Sequence, residues 1–282
     1  MKIFGCVDLT ANKKNTTHSG EEFVVATPSP ALADALNRST ENLMALEKKA
    51  ALPAPIAILQ VLCFFIGACC FMGLLRADVP VQVAYQNAPW VFWAGGICLI
   101  LWGILLAIGK VKKKKVMGSD EGQQTAEHFD GVTNSIWNEY GVPNYALDVD
   151  VLSFCFKQKN GQVKPVTKAS ATTAYNAWTY RAYRDQDNLY LVDLNGKYAI
   201  PFVSLRRIRT VQKRIAISGW NKEVPTDDPR FKPYKIATDR YGRVSFKPYH
   251  ILEIEQYGEQ WELWFPGYEL PALQAITGLT AE

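Results

Sequence analysis

Two uncharged apolar runs, set apart by a short polar break, dominate the chain between Ala54 and Gly109. The first, Ala50 to Leu75, carries no charge and has the core Ile56-Ala57-Ile58-Leu59-Gln60-Val61-Leu62-Cys63-Phe64-Phe65-Ile66-Gly67. The second, Val79 to Gly109, is most apolar from Trp90 to Ile108. A helix needs about 20 apolar residues to cross the hydrocarbon layer, and each run is long enough. Only helices and closed barrels satisfy their backbone groups in lipid. Neither run alternates as a barrel strand does, so the spacing predicts two transmembrane helices, 54–75 and 88–109, forming a hairpin. Trp90 and Trp93 stand near the start of the second, where amphipathic rings favour the headgroup region.

The flanking charges orient this hairpin. Lys48 and Lys49 precede it, Lys110, Lys112, Lys113, Lys114 and Lys115 follow it, and the break holds one basic residue, Arg76. The positive-inside bias places both termini in the cytoplasm of a cell whose inner membrane the chain crosses twice. The spans carry no ionisable side chain, the usual mark of an ion or substrate path, so the hairpin reads as an anchor. Gly103 and Ala107 form one small-xxx-small pair that can pack helices together.

The remaining length of this 282-residue chain leaves room for one further domain of ordinary size. The net charge is only +4, and the lysine cluster beside the membrane accounts for most of it; such clusters attract anionic headgroups. That weakens any case for nucleic acid. Four of the six cysteines, Cys63, Cys69, Cys70 and Cys98, lie inside the apolar runs, and Cys6, Cys155 and the three histidines are scattered. No metal site, disulfide framework or cofactor follows from that spacing.

Residues 1–53 read as a cytoplasmic arm, flexible over 9–30, with a short amphipathic helix over about 30–50. Ser29-Pro30 suits a helix start. Leu32, Leu36, Ser39, Leu43, Leu46 and Ala50 then form a short heptad seam, able to pack on the domain or to pair with a second copy. After the membrane, 110–145 reads as a basic connector followed by a helix whose Ala126, Phe129, Val132, Ile136 and Tyr140 share a face.

From Ala146 the period becomes two. Leu147, Val149 and Val151 alternate with Asp148 and Asp150, and the phase shifts at Leu152-Phe154-Phe156, predicting a bulge or bend. Asn160-Gly161 and Asn195-Gly196 are hairpin turns, and Tyr257-Gly258 is another. Leu270, Leu273 and Ile276 mark a closing helix that Gly278 ends. The chain is therefore an α+β membrane protein: a transmembrane hairpin, then a cytoplasmic antiparallel barrel or sandwich over 146–282 closed by a C-terminal helix.

Ile200-Pro201-Phe202, the basic Leu205-Arg206-Arg207-Ile208-Arg209 segment, Lys232-Pro233-Tyr234-Lys235 and Phe265-Pro266-Gly267-Tyr268-Glu269-Leu270-Pro271, set among these strands, resemble a bacterial pleckstrin-homology-like (PH-like) domain of the YcxB-like membrane proteins over about residues 175–280. The resemblance implies a binding or scaffolding module with no catalytic residues, and it transfers no ligand.

Lys112, Lys113, Lys114, Lys115, Arg206, Arg207, Arg209, Lys213 and Arg214 are the candidate contacts for anionic lipid or a partner. Strand alternation puts Arg207, Arg209 and Lys213 on one face and Arg206 and Arg214 on the other. Asp148 and Asp150 share a strand face, and Asp227-Asp228 sits in a turn between prolines. Trp261 and Trp264 fall on opposite faces, one for the core and one for a partner. No phosphate loop, Gly-x-Ser-x-Gly or His-Glu-x-x-His is present. The expected function is non-enzymatic binding or scaffolding at the membrane, of lipids and of a protein partner. The second reading is an accessory or regulatory subunit of a membrane transporter or signalling complex.

Overall fold

The computed structural model describes residues 1–10, 14–76, 81–159, 162–165, 173–174, 176–217, 231–234, 236–238 and 244–282. The expected Asn160-Gly161 turn and the Asp227-Asp228 pair lie outside the described residues. The chain divides into two compact units, Pro30–Asn134 and, discontinuously, Met1–Ser29 with Ser135–Glu282.

The first unit is helical: α1 (Pro30–Ala50), α2 (Ala54–Arg76), α3 (Val81–Asn87), α4 (Pro89–Met117) and α5 (Asp120–Glu139), whose last turns, from Ser135, group with the second unit. Helices α2 and α4 contain stretches long and apolar enough to cross a membrane, and only 11 % and 6 % of those stretches is buried. Core helices of a soluble protein would be covered; these leave Ile58, Phe65, Trp90, Trp93 and Ile100 exposed. Their mutual contact runs through small residues. Cβ atoms built on Gly67 and Gly95 would lie 2.7 Å from the Leu99 side chain and 2.9 Å from the Cys70 Cβ, and Phe64 meets Trp102 with ring centroids 5.3 Å apart. Gly103, expected at that contact, has open space where its Cβ would stand.

Helix α1 packs on α4, and Ser39, Leu46 and Ala50 of its heptad seam are buried. Lys49 pairs with Glu121, and Lys112 donates to the Ala51 carbonyl. The lysines expected in a connector stand on the last turns of α4, because nothing in Lys110–Met117 breaks a helix and Gly118 follows only then. Ser29 does not cap α1; its N–H and hydroxyl both donate to the Glu139 carboxylate, at 2.7 and 2.8 Å.

The second unit begins at the first residues. Strands β1 (Ile3–Phe4) and β2 (Cys6–Asp8) open it, and β3 (Lys14–Thr16), β4 (His18–Ser19) and β5 (Val24–Ala26) stand where a flexible stretch is expected over 9–30. After the helices come β6 (Leu147–Ser153), β7 (Cys155–Lys159), β8 (Gln162–Pro165), β9 (Thr173–Ala174), β10 (Asn176–Arg184), β11 (Asn188–Val192) and β12 (Lys197–Pro201). The rest are β13 (Leu205–Val211), β14 (Ile215–Ile217), β15 (Ala237–Thr238), β16 (Val244–Phe246), β17 (Tyr249–Gln256), β18 (Glu259–Pro266) and the terminal helix α6 (Leu270–Thr277), capped by Gly278 at φ +72°.

Five sheets result: β5-β12-β11-β10-β6, β13-β17-β18-β2, β15-β16-β14-β9, β3-β7-β8 and the pair β1-β4. Among the described residues none of these sheets closes as a barrel. The phase shift near Leu152 is a change of sheet: β6 ends at Ser153, and Phe154, at the break, receives a hydrogen bond from the Thr17 N–H and gives its own to the Thr17 hydroxyl. The first two sheets and α6 enclose the main core, including Val149, Tyr180, Leu191, Tyr198, Ile208, Leu252 and Leu273. A second core lies on the opposite face of the β13-β17-β18-β2 sheet, where Tyr249, Ile251 and Trp264 meet Phe154, Phe156, Ile215 and Phe246. Coverage on both faces explains why Tyr249 to Leu252 are all buried, where a half-exposed strand would alternate.

Candidate functional site

The second face of the β13-β17-β18-β2 sheet is only partly covered. Beyond the Tyr249-Ile251-Trp264 core it opens into a groove of about 700 Å³. Among the described residues six cationic side chains line it, Lys164, Arg206, Arg207, Arg209, Lys213 and Arg214, against three carboxylates, Glu253, Glu255 and Glu262. Leu9, Val163 and Val211, half-buried against the second core, supply an apolar part of the lining.

Local backbone geometry gathers the cations. Simple alternation separates Arg206 and Arg214 from the other three, but the β13–β17 register shifts between Leu205 and Arg207. Leu205 and Ile208 both point into the main core, and the two arginines between them are both exposed. A bulge of this kind adds one residue to one strand and redirects its side chains. Strand β13 also ends at Val211, so Lys213 and Arg214 belong to the turn into β14 and escape the alternation. All five expected residues of this segment thus line one groove.

The arginines are already engaged. Arg207 donates from Nε and Nη2 to both oxygens of Glu253, at 2.8 and 3.4 Å. Arg209 bridges two carboxylates, Nε to Glu253 at 2.7 Å and Nη2 to Glu262 at 3.0 Å, and Arg206 Nε reaches Glu255 at 3.3 Å. Cross-strand register sets these pairs up: Arg207 stands opposite Glu253, which stands opposite Glu262. Burial acts to raise the Glu253 carboxyl, but Arg207 and Arg209 outweigh it and hold the pKa below its ordinary value. Glu262 is more deeply buried; there desolvation prevails over the hydrogen bonds from Trp264 and Arg209, and the pKa is raised. Arg214 donates to the Ser245 hydroxyl at 2.8 Å. Among the described residues Lys164 and Lys213 have no ion-pair partner.

The other charged candidates separate from this groove, whose lining also takes in Trp261 and Trp264. Lys112, Lys113, Lys114 and Lys115 lie on α4, the last three exposed, in the helical unit. Asp148 pairs with Arg181 at the surface, whereas Asp150 is buried and accepts from the hydroxyls of Thr179 and Tyr268 at 2.6 and 3.0 Å. Both tryptophans are core: Trp261 packs in the first and Trp264 in the second, at 2 % and 3 % exposure, which removes the expected partner-facing tryptophan. Among the described residues no group of His, Cys, Asp and Glu is placed to hold a metal ion. Sequence reading passed over Lys164 and the three glutamates. The alternating Glu253 and Glu255 were a signal of one charged strand face, but their pairing needs a register that no local pattern supplies.

No family model matches the chain, and neither a curated protein nor a solved structure does.

Proposed function

We propose that this chain is a membrane-anchored, non-enzymatic binding protein. Helices α2 and α4 cross the inner cell membrane as a hairpin, with both ends in the cytoplasm, and the β unit serves as a PH-like module for a protein partner. The observation that carries the binding role is the groove, where among the described residues six cations outnumber three carboxylates on one sheet face. Support for the anchor comes from the uncovered apolar surface of α2 and α4 and from the lysines on the last turns of α4. Tethering raises the effective concentration of the β unit at the membrane, so a weak groove can hold its partner there.

Purification of the tagged full chain from its native membrane tests this reading. A partner is expected in stoichiometric amount with the parent chain and with Trp90→Leu/Trp93→Leu, and lost with Lys213→Glu/Arg214→Glu. Recovery of a polytopic protein that ignores the groove reversal and is lost on altering α2 or α4 would favour the transporter-subunit reading. A chain recovered alone under all conditions discards both.

A further inference from the structure

We infer that the groove takes one extended segment of a protein partner in which acidic and apolar residues alternate. The inference rests on the binding role just proposed and names the chemistry of its ligand.

Three observations select that ligand. The first is which cations remain open. The guanidinium groups of Arg206, Arg207 and Arg209 are engaged by Glu253, Glu255 and Glu262, so three of the four planar forks that could clamp a compact phosphate are already paired with carboxylates. Among the described residues, the cations without a carboxylate partner are Lys164 on β8 with Lys213 and Arg214 in the β13–β14 turn, Arg214 held only by the Ser245 hydroxyl: separate charges on different elements, which suit carboxylates spread along a chain. The second is a like-charge pair. Lys157 and Lys164 stand directly opposite each other on β7 and β8, both exposed. Like charges in that position repel, and an anion alongside them relieves the repulsion. The third is the apolar part of the lining. Leu9, Val163 and Val211 lie beside the open cations, so the ligand needs apolar side chains as well as acidic ones. In an extended segment successive side chains point to opposite sides, and alternation delivers apolar groups inward and carboxylates to the lysines. A flat bilayer surface cannot enter a concave groove in this way.

The test uses the full chain in nanodiscs of neutral phosphatidylcholine. The probe is a fluorescent peptide alternating Glu with Leu, about ten residues and so about 33 Å when extended. A control peptide replaces Glu with Gln. Binding of the acidic peptide is expected, weakening as salt rises. Lys164→Glu, Lys213→Glu and Arg214→Glu should each weaken it about two- to fivefold, and together about tenfold or more. The corresponding Gln variants should fall between, with melting temperatures unchanged. Equal affinity for the Gln control, or an affinity indifferent to the reversals, overturns the inference. So does charge-dependent binding of phosphatidylglycerol vesicles without binding of the peptide, which would assign the groove to lipid headgroups. If any of these occurs while a partner still copurifies with the full chain, only the ligand chemistry is lost and the binding role stands. Loss of copurification as well removes both.

Discussion

Arg209 holds two carboxylates at once, and Glu262 is the one that depends on it more. The Glu262 side chain is 8 % exposed, and among the described residues it has, besides the Trp264 N–H, only the Arg209 guanidinium against its charge. Removing the arginine strands a buried carboxylate, at a cost of about 1–3 kcal/mol. The pH dependence has a defined sign. Glu262 titrates above its ordinary value in the folded chain, so the stability it contributes is fully present below that value and is lost as pH rises through the raised pKa. Without Arg209 the pKa moves further up. Glu253 adds to the same trend, since the parent loses its stabilisation by arginine as pH falls. Arg209→Met should therefore melt well below the parent at about pH 7.5 and close much of that gap at about pH 5. Adding Glu262→Gln should restore most of the loss at neutral pH, because the amide needs no counter-charge. A gap of constant size across that range would show that Arg209 acts through packing alone.

At the scale of elements, most helices were legible, whereas α3, in the stretch read as a break, and the first strands were not. Helices α1, α2, α4 and α6 follow from patterns contained within each segment: a heptad seam, two uncharged runs, and a Pro-to-Gly frame. Strands β1 and β2 span two and three residues, too short for any period to register. Strand β1 pairs with β4, and β2 exists because Cys6-Val7-Asp8 pairs with Trp261-Glu262-Leu263, a contact between distant parts of the chain. The groove was half legible for the same reason. Its cations crowd one stretch of sequence, but the bulge that turns Arg206 and Arg207 to the same side depends on pairing with β17. The hairpin contact shows the same limit: Gly67 and Gly95 make it, whereas Gly103 faces open space. Gly67→Leu should thus lower the melting temperature of the helical signal in detergent, overpacking of this kind costing about 1–3 kcal/mol, and Gly103→Leu should leave it unchanged. Equal effects at the two positions would mean that α2 and α4 meet on another face.

The whole molecule is a β unit interrupted in sequence by a helical one. Residues 1–29 and 135–282 make one body, and everything from Pro30 to Asn134 is inserted between its first and second pieces. The two pieces share their cores: Ile3, Cys6 and Phe23 lie in the first and Val7 in the second, all nearly inaccessible. The Cys6 thiol, pushed up to about 12 by burial, is held as a neutral core group. Residues 118–282 expressed alone would therefore lack β2 and β5, leaving one edge of each major sheet unpaired and a large apolar surface open to water. That fragment should be insoluble or unfolded by circular dichroism. Ser29 lies within hydrogen-bonding distance of Glu139, so a short bridge can join the two pieces and the β fold should form without the helical insertion. A chain carrying 1–29, a Gly/Ser linker of about six residues and 135–282 should be soluble, β-rich and cooperative in its melting. A folded 118–282 fragment would refute this account of the N-terminal strands. Failure of the fused chain, with the full chain folded, would show that the β unit needs the helices as a scaffold.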